Sequence, residues 1–323
     1  MSYAIVTPSY GPDFERCKLL CQSIDRWVEG EFRHYVVVDR RDLPRFGALH
    51  GPRTTLLSVE SVMPWWLRRA PFARRWWLSL KTPPVRNWIL QQLVKLSVGE
   101  FLDEPNYVFI DSDVTFIRPF EMRTLSPGGQ LRLFRVPGVA NKMPHRSWHR
   151  TASQLLGLPA TDYFGSTYIG NLVTWRRDNL RAMYERIASV ARRPWLEAVA
   201  HQWALSEYIL YGVFVEHVLG PANGQHYTDL PLCHISWNYE ITTDADIDRF
   251  FAGVQPYHVA VMMSSKQHID VSRYVRHIAE LEVGAGHDST CPMPHSAART
   301  RHGDRTSSPL TTAGPGRPPG DIR

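Results

Sequence analysis

The sequence has little cysteine, no long apolar run, and fewer acids than bases. Its 323 residues include four cysteines, Cys17, Cys21, Cys233 and Cys291, too few for a disulfide scaffold. Cys17 and Cys21 stand one helical turn apart, which is neither a Cys-x-x-Cys pair nor a zinc spacing, so all four read as reduced structural thiols. No stretch approaches the ~20 consecutive apolar residues that cross a bilayer. The opening Met-Ser-Tyr-Ala-Ile-Val-Thr lacks the basic and apolar regions of a signal peptide. Together these absences point to a cytoplasmic protein. No glycine-rich loop follows the first apolar segment, which argues against a nucleotidyltransferase, and no internal repeat is present. Lys and Arg number 37 against 31 Asp and Glu, giving +6 and a pI near 9.2. That balance suits nucleotides, phosphates or anionic membranes and is too mild to signal nucleic-acid binding.

What is present is enough for a full core, with 43% hydrophobic residues. Tyr3–Thr7 reads as a short buried strand, Pro8–Pro12 as a turn, Asp13 as a helix N-cap, and Phe14–Trp27 as a helix with Leu19, Leu20, Ile24 and Trp27 at helical spacing. Tyr35–Val38, ending at Asp39, and Leu56–Val59 read as further strands. Strands alternating with helices predict an α/β fold with a mostly parallel sheet. Arg86–Phe101 reads as a helix striped by Ile89, Leu93 and Leu96, with Gln91, Gln92 and Lys95 along one edge. Further on, Leu131–Val136 and Leu172–Trp175 are strand candidates. Ala152–Leu156, Arg176–Ala191 and His201–Val218 are helical, and Pro256–Met263 is a late strand with His258 near its start. From Gly284 apolar content collapses, so the chain divides into a folded domain over 1–283 and a tail over 284–323 that is expected to be disordered.

Met63–Leu80 departs from the pattern. Trp65, Trp66, Trp76 and Trp77 alternate with Arg68, Arg69, Arg74 and Arg75. Such residues stack on bases or sugars or rest on an anionic membrane. They serve equally in a surface loop or short helix whose tryptophans pack on the domain, and Pro64 and Pro71, which interrupt any long amphipathic helix, favour that second reading.

The chain is organised around Tyr107–Phe116. Four apolar or aromatic residues, Tyr107 to Ile110, end abruptly in Asp111-Ser112-Asp113. Carboxylates are rarely buried unless they are paired or bind metal, and the carboxyl end of a buried strand is where open α/β sheets place ligands. Residues i and i+2 of an extended chain project to one side, so the two charges repel unless a cation lies between them. The reading is a divalent-metal site that handles a phosphorylated ligand.

With those residues in hand the chain resembles a bacterial glycosyltransferase-like family of GT-A fold. The resemblance rests on Ala4-Ile5-Val6-Thr7-Pro8-Ser9-Tyr10, on a second strand ending in Asp39, and on the helix Trp88–Leu96 ahead of the Asp-x-Asp motif. The segment Ser206–Gly212 and the His258 strand complete it, over about Tyr3 to Val283. It implies a GT-A-like, Rossmann-like mixed sheet flanked by helices, and a metal-dependent hexosyltransferase-like enzyme. Such an enzyme uses a UDP- or GDP-sugar with Mn²⁺ or Mg²⁺ and acts on a glycan, lipid-linked or small-molecule acceptor, in the cytoplasm or peripherally at the inner face of the membrane. Carried over residue by residue, Thr7, Pro8 and Ser9 line the donor nucleotide and Asp39 meets its base or ribose. Gln92 and Lys95 approach the donor. Asp111 contacts the ribose or the metal's waters, Asp113 ligates the metal, and His258 is a further ligand. Ser265 and Lys266 hold the diphosphate, and Glu207 acts as acid/base or orients the acceptor. Two other classes stay open. Asp111-Ser112-Asp113-Val114-Thr115 also fits a HAD-type phosphatase with Asp111 as nucleophile, although a whole βαβ unit precedes the motif here. A non-catalytic nucleotide- or glycan-binding protein fits as well.

Overall fold

Alternate residues of the first strand set the layers. The computed structural model describes residues 2–70, 76–138 and 143–287. In it, β1 (Tyr3–Pro8) buries Tyr3 and Ile5 in one apolar cluster and Ala4 and Val6 in another. A strand buried on both faces must be covered on both, and it is. The chain passes from β1 through α1 (Phe14–Trp27) to β2 (Phe32–Val38) and then to β3 (Thr54–Ser58). After α2 (Asn87–Leu96) it returns as β4 (Asn106–Phe109) on the other side of β1, and leaves along β5 (Val114–Phe116). α3 (Met143–Leu156) follows, then β6 (Val173–Arg176), α4 (Arg177–Ala191) and α5 (Glu207–Phe214). β7 (Cys233–Ile235), α6 (Asp244–Ala252), β8 (Ala260–Met262) and α7 (Val275–His287) come last among the described residues.

The main sheet runs β6-β4-β1-β2-β3, with β4, β1, β2 and β3 parallel and β6 antiparallel at the edge. Leu93 of α2, Leu180 of α4 and Ile209 of α5 join Val6 and Phe109 on one face, while Leu20 and Ile24 of α1 join Ile5 and Val108 on the other. A second sheet, β7-β8-β5, continues from the second face, with β8 parallel to β7 and antiparallel to β5. The fold is therefore mixed α/β with mostly parallel main-sheet strands. In register, Val6 lies beside Phe109 and Pro8 beside Val37, so the carboxyl ends of β1, β2 and β4 share one edge. Successive strands go one way from β1 and then jump to its other side. The gap between the ends of β1 and β4 is thus the topological switch point, where open sheets of this kind bind ligands.

Several expected boundaries shift for local reasons. The expected helix over 86–101 breaks at Ser97, whose hydroxyl donates to the Leu93 carbonyl at 2.7 Å, and a separate turn of helix follows at Val98–Phe101. The expected helix over 201–218 begins at Glu207, because Ser206 is an N-cap whose side chain accepts from the Ile209 N–H. A short helix, Trp195–Ala200, precedes it. In the tryptophan–arginine segment, expected as a surface loop or short helix with tryptophans packed on the domain, Trp66 and Trp77 are buried, but Leu67–Arg69, Trp76–Ser79 and Val85–Arg86 pair as an antiparallel sheet. Its period is two, with Trp77 buried and Leu78 exposed. Arg74 and Arg75 lie outside the described residues. The compact unit spans Met1–Ser289 and α7 runs to His287, past the boundary expected at 284; the expected disorder over 288–323 lies outside the described residues.

Candidate functional site

β4 does not carry its two aspartates on an extended backbone, as expected. It ends at Phe109, and residues Asp111 to Val114 form a tight turn closed by the Val114 N–H on the Asp111 carbonyl at 3.1 Å. The turn hands the chain from the main sheet to the second sheet, so Asp111 and Asp113 sit at the junction of the two, above the switch point.

Among the described residues, each carboxylate has an oxygen left over from its main partner. Asp111 Oδ1 receives the Lys95 ammonium at 3.0 Å, and its side chain keeps 35% exposure. Asp113 Oδ2 accepts the Ser265 main-chain N–H at 2.9 Å, while its Oδ1 is shielded from solvent and has no partner among the described residues. Burial and the neighbouring Asp111 charge push the Asp113 carboxyl up to about 7, with the Ser265 N–H acting the other way. A shielded carboxylate oxygen without a partner carries a cost that a retained proton or a bound cation would relieve.

Lys95 is the hub behind this turn. It lies near the end of α2 and is almost fully buried. Its ammonium also reaches Tyr208 Oη at 2.8 Å and Glu207 Oε1 at 3.2 Å. Burial alone would lower its pKa, but Asp111, Tyr208 and Glu207 outweigh that and hold it well above the usual lysine value. Gln92, one turn back, accepts the Glu207 N–H at 3.1 Å and so fixes the start of α5 against α2. Glu207 has a side chain only 7% exposed and faces Lys95.

The remaining expected residues divide. Ser9 is buried at the end of β1 with its hydroxyl unpartnered among the described residues, and Pro8 lies half-buried beside it. Asp39, at the end of β2, caps the next turn through the Arg41 N–H and pairs with Arg69. Lys266 is exposed and stands 5.5 Å over the ring of Trp88, at the start of α2. Thr7, by contrast, faces inward: it is fully buried, with its hydroxyl bonded to His34 Nε2 at 3.0 Å, so its side chain is committed to the core. Nor does the structure bring His258 to the aspartates. Met263, not His258, is the β8-side neighbour of Asp113, its N–H reaching the Asp113 carbonyl at 3.1 Å. His258 lies five residues earlier, roughly 15 Å along an extended chain. There its carbonyl accepts Arg118, its Nδ1 accepts the Gln255 N–H at 2.9 Å, and burial with His234 nearby lowers the imidazole to about 4.

Three participants escape a reading of the sequence. Asp13, expected only as an N-cap, makes no cap hydrogen bond. It is buried near the Asp-x-Asp turn, where burial raises its carboxyl against the pull of Arg16 and Ser112. Tyr208 follows Glu207 in an apolar helix and reads as core. The Ser265 N–H has no side-chain signal. The position of Asp13, five residues past the end of β1, is the one hint the sequence offers.

The donor set suits a hard divalent cation. Magnesium and manganese are commonly held by one or two carboxylates with the rest of the shell from water and phosphate oxygens, and Asp111 and Asp113 each have an oxygen to give. Among the described residues no group of three or more His, Cys, Asp or Glu side chains is arranged to hold a metal by itself. No curated protein matches the chain. Residues 3–284, nearly all of the described part, match a family described as of unknown function, and the chain belongs to that family, DUF6492.

Proposed function

We propose that this protein is a glycosyltransferase that uses a nucleoside-diphosphate sugar at the switch-point crevice. The observation that carries the reading is the shielded, unpartnered Oδ1 of Asp113 beside Asp111 at the junction of the sheets. Asp111 and Asp113 would hold Mn²⁺ or Mg²⁺, which when bound neutralises charge on the diphosphate leaving group. The other roles belong to the chain itself. Lys95 fixes one oxygen of Asp111 and leaves the other free. Asp113, whose carboxyl is pushed up to about 7, would take part as a ligand in its ionised form. Pro8 and Ser9 at the end of β1, and Asp39 with Arg69 at the end of β2, flank the space for the nucleoside. Exposed Lys266, next to Ser265, supplies a cation for the phosphates. Glu207 is read as a positioning residue: its carboxylate faces the Lys95 ammonium at 3.2 Å, and it acts by holding the ammonium that holds Asp111. His258 is left out of the ligand set.

The test is a melting-temperature screen of UDP, GDP and their sugars with and without Mn²⁺, followed by release of free diphosphate from any donor that stabilises. A metal-dependent shift with one nucleoside diphosphate is expected. If no nucleotide shifts the melt and an aryl phosphate is hydrolysed with label trapped on Asp111, the protein is a phosphatase instead.

A further inference from the structure

The small antiparallel sheet built from the tryptophan–arginine segment has two unlike faces. Its inner face carries Leu67 and Trp77, both essentially fully buried, together with Arg69, which reaches back to Asp39. On the outer face, Trp76, Leu78 and Leu80 follow one another at alternate positions of the central strand and its continuation, where the Leu80 N–H still reaches the Trp66 carbonyl at 3.0 Å. Leu78 is 49% exposed and Leu80 77%. Trp203, 60% exposed, comes from the loop before α5 and packs edge-on against Trp76 at 6.5 Å. Trp65, at the entry to the sheet, is 65% exposed. Isolated exposed apolar residues need no explanation, but a row of them with two exposed indoles at its side does.

Basic side chains border the row. Arg68 lies directly across from Leu78, and Arg86 directly across from Trp76, so each points to the same outer face. Both are exposed, and neither forms a salt bridge with a carboxylate among the described residues. Arg86 lies over Trp203 at 5.2 Å and donates to its carbonyl at 2.7 Å, contacts that leave its positive charge in place. Lys81 follows Leu80 and pairs with Glu197 at 2.6 Å. Leucines that project outward, tryptophans beside them and exposed guanidiniums at the border are the composition of an interfacial membrane contact. The apolar groups enter the acyl boundary, indoles sit at the headgroups, and arginines meet anionic lipid.

We infer that this face, Trp76, Leu78, Leu80 and Trp203 with Arg68 and Arg86, docks the protein on an anionic lipid bilayer. The inference does not depend on the activity proposed above. It adds that the crevice is held near the membrane, because Arg69, on the inner side of the same strand as Arg68, pairs with Asp39 at the crevice edge.

Sedimentation with vesicles tests it. The full-length protein is mixed at low salt with phosphatidylcholine vesicles alone or with about a third phosphatidylglycerol. The wild type should pellet with the anionic vesicles and not with the neutral ones, and 0.5 M NaCl should release it. Leu78→Glu with Leu80→Glu should cut the bound fraction about tenfold at an unchanged melting temperature, since both side chains are exposed. Arg68→Gln, which leaves the apolar row intact, should weaken binding severalfold. Equal binding by wild type and the double glutamate variant would overturn the inference, as would a wild type that stays in solution with anionic vesicles. A dimer in light scattering that the double variant dissolves, without vesicle binding, would assign the face to a second copy and also overturn it.

Discussion

Replacing Asp113 by asparagine separates a binding role from a folding role. The Asp113 carboxyl rises from 3.8 to about 7 in the folded protein. At about 1.4 kcal/mol per tenfold change in proton affinity, ionising it costs the fold at most about 4 kcal/mol. The sign follows from which state holds the proton more tightly. The folded state does, so this group's contribution to wild-type stability falls as pH rises from about 4 through about 7 and then levels off. An asparagine side chain at this position has no proton to lose and still offers an oxygen to the Ser265 N–H. In a chelating buffer, urea unfolding should therefore show Asp113→Asn more stable than wild type at pH 8, by up to about 4 kcal/mol, with the gap shrinking toward pH 4. With Mn²⁺ and the nucleoside diphosphate at a hundred times the dissociation constant, the wild type should gain about 2.7 kcal/mol by linkage, and the variant should lose most of that gain. A variant that is less stable than wild type at pH 8 without metal, yet keeps the metal-dependent gain, would refute the reasoning.

Lys95→Met leaves Asp111 and Glu207 without their shared cation and should destabilise the protein by about 3–5 kcal/mol in thermal or urea melts; Glu207→Gln should cost less, because Lys95 keeps Asp111. His258→Ala should leave the concentration of Mn²⁺ needed for half-maximal stabilisation unchanged, as titrated by melting temperature, since the ring lies away from the aspartates. Gly212→Ala puts a methyl on the Tyr168 ring and should cost about 3 kcal/mol, read as a lower urea midpoint.

The parts of the fold that repeat a simple period are legible in the sequence. Tyr3–Thr7, Tyr107–Ile110 and Phe14–Trp27 announce themselves because burial on two faces or on one helical stripe leaves few alternatives. The tryptophan–arginine segment misleads because aromatics next to arginines carry a chemical signal stronger than their alternation, and two prolines hide a period-two pattern. At the site, the resemblance names Lys95, Gln92 and Glu207, and the structure brings them into mutual contact behind Asp111. His258 and Thr7 are misdirected for one reason: a strand residue's usefulness depends on its register and face, and both are fixed by pairing with distant strands. The Ser265 N–H escapes because a backbone donor has no side-chain signal, and Asp13 because an aspartate at a helix start reads first as a cap.

One ammonium serving two carboxylates and a phenol has a consequence for how this chain can change over generations. Lys95, Asp111, Glu207 and Tyr208 form a single electrostatic unit, so losing Lys95 leaves the buried Glu207 without its cation, whereas exchanging Lys95 and Glu207 together for apolar residues of similar volume need not be costly. Across related chains these positions should therefore drift together or not at all. A relative that has dropped Lys95 should have neutralised Glu207 in the same step, and such paired replacement would mark lineages in which the crevice has been retired from its original task.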